Sequence, residues 1–186
     1  QKVIYAKLSK ALYGTLQASL LFWKDLTKCL TDLGFAVNPY DPCVANKTID
    51  GTQCTIAWYV DDLKISHAQS SVVEQIVESL QNRFGKEAPL TVNRGKRHTY
   101  LGMDIDYSNA GKVSFAMQKY IDEMIDECPP ELLKGSAVTP AANHLFEVDD
   151  DAEKLGPGDA VLYHHLVAKA LYVCKRARPD IQLAVS

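Results

Sequence analysis

Asp61 and Asp62 stand side by side behind Tyr59 and Val60, between two short apolar runs, Thr55-Ile56-Ala57-Trp58-Tyr59-Val60 and Leu63-Lys64-Ile65-Ser66. The β-branched and aromatic content of the runs predicts strands. Their two-residue gap predicts a hairpin with Asp61-Asp62 at or beside the turn. Such a turn favours Asn-Gly or Asp-Gly, because positive φ is needed there, so a second Asp in place of Gly departs from the local rule. Departures of this kind point to function. Successive strand residues face opposite sides, but at a turn the backbone can aim both carboxylates into one space. There their repulsion makes a divalent cation the natural occupant. Mg²⁺ is usually held in this way, by a few carboxylates completed with water and substrate phosphates. The plainer reading of the same pair is a solvated acidic turn, and two carboxylates alone leave both readings open.

The chain around this pair has 186 residues, enough for one large domain or two small ones, and its 47% hydrophobic content is ample for a buried core. A formal net charge of -3 supplies no overall basic field. Nucleic-acid contact would therefore have to come from local clusters. The five cysteines, Cys29, Cys43, Cys54, Cys128 and Cys174, are odd in number, far apart and free of Cys-x-x-Cys spacing. This argues against a disulfide scaffold and a structural zinc site, and predicts a reducing, intracellular compartment. No apolar stretch approaches bilayer length, and Gln1-Lys2-Val3 shows neither an initiator Met nor a signal-peptide pattern, so the chain reads as a piece of something longer, truncated at both ends.

Apolar residues at helical spacing between Lys7 and Leu33 predict an amphipathic helix with Trp23, Leu26 and Leu30 in the core and Gly34 as its C-terminal stop. Just ahead of it, Gly14 would let backbone approach a ligand closely, and the Gln17 amide could contact a base or phosphate. Ser71 opens a second helix, with Val72, Val73, Ile76, Val77, Leu80 and Phe84 on one side and Glu74, Gln75, Glu78 and Gln81 on the solvent side, which Gly85 ends. Arg94, Lys96, Arg97 and His98 form the densest basic cluster, directly before Tyr100-Leu101-Gly102. A solvated loop is the plain reading of that cluster, and a phosphate contact the functional one. Asn109-Ala110-Gly111 should close a hairpin onto Val113 to Ala116, and Gln118 to Cys128 should be helical up to Pro129-Pro130. From Asn143 to Asp159 an acidic, Gly/Pro-punctuated stretch reads as a linker and lacks the alternation of a calcium loop. His164-His165 is not a metal pair, since adjacent helical residues do not share a face.

These motifs together resemble one family. Tyr59-Val60-Asp61-Asp62 looks like the catalytic hairpin of reverse transcriptases. Leu12, Tyr13, Gly14, Gln17 and Ala18 match the Leu-Tyr-Gly-Leu-Lys-Gln-Ala-Pro-Arg-x-Trp segment of Ty1/copia-type elements, with Phe22 in the Trp place. Leu16, Ser19 and Leu20 stand where that pattern has Lys, Pro and Arg, which removes two positive charges. Leu33-Gly34-Phe35, Asp41-Pro42-Cys43-Val44, Tyr100-Leu101-Gly102, Val138-Thr139-Pro140 and the run from Tyr163 to Arg178-Pro179-Asp180-Ile181 are similar to further family segments, in the same order.

The resemblance implies an α+β fold: a polymerase palm with a ferredoxin-like antiparallel sheet and packing helices, then a helical thumb. Residues 1–110 would be partial fingers and palm, 111–142 the thumb, 143–160 an acidic linker and 161–186 the start of the connection to RNase H. It implies RNA-directed DNA polymerase activity with two Mg²⁺ ions, or Mn²⁺ in their place. The implied partners are an RNA template, a DNA primer or duplex, deoxynucleotides, and the rest of the element polyprotein with its RNase H and integrase, with no membrane. The implied setting is a cytoplasmic virus-like particle or the nucleus. Asp61 and Asp62 would be the catalytic metal ligands. Tyr59, Val60, Gly14, Gln17, Tyr100, Leu101, Gly102, Arg94, Lys96 and Arg97 would lie along substrate or primer–template. The family's remaining carboxylate belongs to an earlier strand with an Asp-Val-x-x-Ala-Phe-like segment, which is not found before Asp61 here, so the piece alone should be inactive. The runner-up is a decayed or non-catalytic nucleic-acid-binding or assembly module, and another palm-type enzyme such as a nucleotide cyclase would leave the collinear segments unexplained.

Overall fold

Thr15 begins the first helix. In extended backbone conformation, it accepts the Ala18 amide on its side-chain oxygen, and α1 (Leu16–Asp32) follows. The helix closes with the Gly34 amide donating to Thr31 and the Phe35 amide to Leu30 at 2.9 Å, around Gly34 at φ +85°. That pair of bonds satisfies carbonyls which a helix end otherwise leaves open, and the left-handed backbone it needs is the reason for glycine. The computed structural model describes the chain apart from Gln1, Lys2, Ile4, Ala6, Leu8, Ser9, Tyr13, Ala142, Val148 and Ser186. Tyr13 of the glycine-bearing segment thus lies outside the described residues. Gln17, expected ahead of the helix, belongs to its first turn, because Thr15 caps two residues before it.

The described residues form two compact units, Gln1–Val92 and Asn93–Ser186. In the first, β1 (Ala36–Val37), β2 (Val44–Ile49), β3 (Thr52–Tyr59) and β4 (Asp62–Ser66) make an antiparallel sheet in the order β1-β2-β3-β4. Asp50 and Gly51, at φ +49° and +74°, join β2 to β3 as a two-residue turn inside the pair Ile49↔Thr52. Positive φ at both central residues is the hairpin-compatible geometry, and Asp-Gly its usual sequence. The ferredoxin-like order is not formed among these strands, since each turns directly back on its neighbour and no crossover separates them. β3 extends to Tyr59 and β4 starts at Asp62, so the two turn residues are Val60 and Asp61, and Asp62 stands beside the turn as the first residue of β4.

Strand alternation and helix stripe meet in one core. Cys54, Ile56 and Trp58 point inward from β3 and pack with Leu26 and Leu30 of α1 and with Val72, Ile76 and Leu80 of α2 (Ser70–Phe84). Burying each large side chain stabilises the fold by about 1.5–3 kcal/mol. Gln81, expected on the solvent face of α2, folds back so that its carbonyl oxygen accepts the Leu90 amide at 2.8 Å.

The second unit holds a three-stranded antiparallel sheet, β5 (Arg97–Tyr100), β6 (Met103–Asp106) and β7 (Ser114–Ala116). After it come α3 (Gln118–Asp126), α4 (Pro157–Cys174), a short 3-10 turn at Pro179–Ile181 and α5 (Gln182–Val185). Among the described residues its buried apolar set is small: Ile105, Met117, Val173 and Cys174. All five cysteines are free thiols, with Cys54 buried in the first unit and Cys174 in the second. The architecture is α+β, as expected, and no helix among the described residues is long and apolar enough to cross a membrane.

Candidate functional site

The turn between β3 and β4 is a strained one. Tyr59 and Asp62 form the closing pair, and Val60 lies between them at φ +55°. Asp61 is not in the left-handed region, so only the first central residue has positive φ, a position that glycine normally takes in this kind of turn. For a β-branched side chain that conformation is a genuine outlier, costing on the order of 1–3 kcal/mol. Neither Val60 nor Tyr59 recovers the cost by burial, being 49% and 60% exposed. Asp61 and Asp62 are exposed, and among the described residues neither carboxylate has a hydrogen-bond or ion-pair partner.

Beside the turn opens a pocket of about 590 Å³ lined by Gly14, Ala18, Phe22, Trp23, Cys43, Trp58, Tyr59, Val60 and Asp61. The early turns of α1 supply Ala18, Phe22 and Trp23, and the Trp23 indole N–H donates to the Pro42 carbonyl at 3.1 Å, which fixes that wall against the start of β2. Phe22 is set in turn by the Phe84 ring, 5.8 Å away centroid to centroid. The predicted residues Gly14, Tyr59, Val60 and Asp61 are therefore brought together, whereas Gln17 is exposed on α1 and Asp62 begins β4, both outside the pocket lining. Phe22, Trp23, Cys43 and Trp58 join the site without having been singled out for it. The readable signals were the aromatic Trp58 directly beside Tyr59, and the places of Phe22 and Cys43 within the segments that resemble the family. The Trp58 indole nitrogen is buried and has no hydrogen-bond partner among the described residues. Burial pushes the Cys43 thiol up from its ordinary value, and the Asp41 charge adds to this.

As a cation site the pair is partial. No group of three His, Cys, Asp or Glu side chains that could enclose a metal ion occurs among the described residues. Two adjacent, unengaged carboxylates nevertheless fit the minimum that Mg²⁺ takes from protein when water and substrate phosphates complete its shell.

The remaining predicted residues lie in the second unit. Leu101 and Gly102, at φ +52° and +73°, form the two-residue turn between β5 and β6 inside the pair Tyr100↔Met103. Arg94 and Lys96 are exposed in the loop before β5. Arg97 is engaged: its Nε donates to the Asp106 carboxylate at 3.0 Å across the β5–β6 pair. Hydrogen bonds from Ser108, and then the Arg97 charge, hold the Asp106 carboxyl below the usual carboxylate range. His165, on α4, pairs with Glu127 and not with His164.

A family model described as reverse transcriptase (RNA-dependent DNA polymerase) matches residues 1–139. A Saccharomyces cerevisiae protein named for the transposon Ty5-1 is 26% identical over 177 residues, which is 94% of this chain and 54% of that protein. The chain thus spans about half the length of the curated relative it matches. No solved structure matches it. Both findings agree with the Ty1/copia-type resemblance carried by the motifs.

Proposed function

The chain belongs to the reverse transcriptase (RNA-dependent DNA polymerase) family, and on that premise we propose that it is the palm-and-thumb region of an RNA-directed DNA polymerase from a Ty1/copia-type retrotransposon. The observation that supports the reading best is the Val60 turn, where a strained backbone holds Asp61 in the lining of a pocket that Gly14 and the aromatic residues Phe22, Trp23 and Trp58 also line. Backbone strain of that size persists where surrounding structure over-determines it, as it does at active sites.

In this proposal a primer 3′-hydroxyl attacks the α-phosphate of a deoxynucleotide opposite an RNA template, and pyrophosphate leaves. Asp61 and Asp62 would hold Mg²⁺, or Mn²⁺ in its place, and two such ions would neutralise the attacking and leaving oxygens. Tyr59 and Val60 shape the floor under the primer end. Gly14, having no side chain, leaves room for substrate backbone, and the aromatic walls offer faces on which a base can stack. Gln17 at the start of α1 contacts the template side, and Tyr100, Leu101 and Gly102 contact the primer side. Arg94 and Lys96 neutralise phosphate, with Arg97 shared between phosphate and Asp106. Residues 1–110 then correspond to fingers and palm, 111–142 to thumb, 143–160 to a linker and 161–186 to the approach to RNase H. The working enzyme draws its third carboxylate from an earlier strand of the element polyprotein, which acts in a virus-like particle or the nucleus.

One observation favours the alternative, a decayed or non-catalytic nucleic-acid-binding or assembly module derived from such an element. Leu16 and Leu20, 90% and 50% exposed, present apolar surface where the family pattern carries Lys and Arg. Primer extension by the full-length enzyme separates the two readings. Asp61→Asn should abolish Mg²⁺-dependent extension, because an amide cannot supply the charge of a metal-bound carboxylate. Extension within about tenfold of the parent, a barrier change of only about 1.4 kcal/mol, would sink the catalytic assignment.

A further inference from the structure

The Leu101–Gly102 turn is an energetically unfavourable one for its sequence, because its first left-handed position is filled by a leucine. What holds it comes from 71 residues downstream: the Tyr172 hydroxyl of α4 donates to the Leu101 carbonyl at 3.0 Å. The phenol also fills the space beside Gly102, where a Cβ would come within 3.3 Å of its oxygen. Tyr172 is itself immobilised from two sides. The Tyr120 ring of α3 lies 5.1 Å from its ring, centroid to centroid, and the Arg176 guanidinium sits 3.6 Å above its ring centroid. Arg176 closes the arrangement by donating from Nη1 to the Tyr172 carbonyl at 3.3 Å. One turn further back, Glu127 accepts from His165 and Lys169 and so pins α4 to the end of α3.

From this geometry we infer that Tyr172 is a positioning residue for the Leu101–Gly102 turn, with Arg176 and Tyr120 holding its phenol in place. Cation–π contact and the flanking ring restrict the phenol to the orientation in which its O–H meets the Leu101 carbonyl. The left-handed pair thereby keeps a partner for a carbonyl that the β5–β6 ladder cannot use, since Leu101 lies in the turn outside the Tyr100↔Met103 pair. The helix that follows the acidic stretch thus sets the shape of a turn formed much earlier in the chain. The functional consequence rests on the reading above, in which that turn contacts the primer.

Tyr172→Phe tests the inference, since it deletes one hydroxyl and keeps the ring, its stacking and its packing. In the full-length enzyme, amide hydrogen exchange of the segment 97–106 should speed up, with the melting temperature near the parent's. The KM for primer–template should rise about fivefold, the worth of one ordinary hydrogen bond, with kcat little changed. Gly102→Ala, which crowds the phenol and strains the same turn, should act in the same direction. Combined with Tyr172→Phe it should add less than the sum of the two, as expected for a pair in direct contact. Faster exchange with an unchanged KM would uphold the role of Tyr172 and remove the primer reading of the turn. Unchanged exchange in Tyr172→Phe, or strict additivity with Gly102→Ala, would overturn the inference.

Discussion

The residue that reports most on the candidate site is Val60, because it is wrong for its backbone. Replacing it by glycine removes the left-handed penalty of roughly 1–3 kcal/mol and returns about 0.5–1 kcal/mol as extra unfolded-state entropy. Half-exposed Val60 gives up little burial, so Val60→Gly should raise the stability of the first unit by about 1 kcal/mol, measured by urea unfolding at constant m-value. The same change should lower primer extension, since the turn loses the constraint that directs Asp61. A clear loss of stability would mean that packing, and not strain, decides the valine. At this scale the sequence was informative about identity and less so about place. Two carboxylates beside a turn could be read from their types, but the register that puts Val60-Asp61 in the turn and Asp62 in β4 depends on how far β3 runs. Cross-strand pairing with β2 and β4 sets that length.

Among the elements, α1 and α2 were legible because each carries an apolar stripe at helical spacing and a glycine just beyond its end. The β2–β3 hairpin passed unread although Asp50-Gly51 is its usual turn sequence, since Asn46, Lys47 and Thr48 dilute the apolar alternation of β2. Leu30, fully buried between α1 and the sheet, is the element-scale test of the first core. Leu30→Ala should cost about 2–5 kcal/mol by denaturant unfolding, and a cost below about 1 kcal/mol would show that the helix is not packed there. The α3–α4 contact makes a different prediction. Hydrogen bonds from Lys169 and then His165 hold the Glu127 carboxyl below its ordinary value. A depressed folded value means that the contribution is complete above the ordinary carboxylate range, near about pH 4.3. It is lost as pH falls through the depressed one. The second unit should therefore loosen in acid, seen as faster amide exchange along α4 below about pH 4, and Glu127→Gln should remove that pH dependence while leaving the neutral-pH fold in place.

For the whole molecule, the unequal cores of the two units are the governing feature. Among the described residues, ten buried ones join α1, α2 and the first sheet into one cluster, against four buried apolar residues in the second unit. The second unit should unfold first. Both tryptophans, Trp23 and Trp58, belong to the first unit, so indole fluorescence should report a later denaturant transition than far-UV circular dichroism, which sees helices in both. Coincident transitions would contradict this division. Nucleic-acid binding is a second whole-molecule property, because a net charge of -3 leaves affinity to local cations. Changing Arg94 and Lys96 to Ala should flatten the slope of log affinity against log salt by up to about 0.9 for each phosphate that is no longer neutralised. Arg97→Ala should change it less, since the Asp106 carboxylate already accepts from its Nε and offsets part of its charge. No reading of the basic cluster from sequence could separate Arg97 from its neighbours, as its partner lies on the opposing strand. Finally, each unit encloses one fully sheltered free thiol, Cys54 in the first and Cys174 in the second. An alkylating reagent reaches either one only when its surroundings open, so the modification rate of each sulfur is a clock for the opening of its own half of the chain, readable by mass without labels or activity.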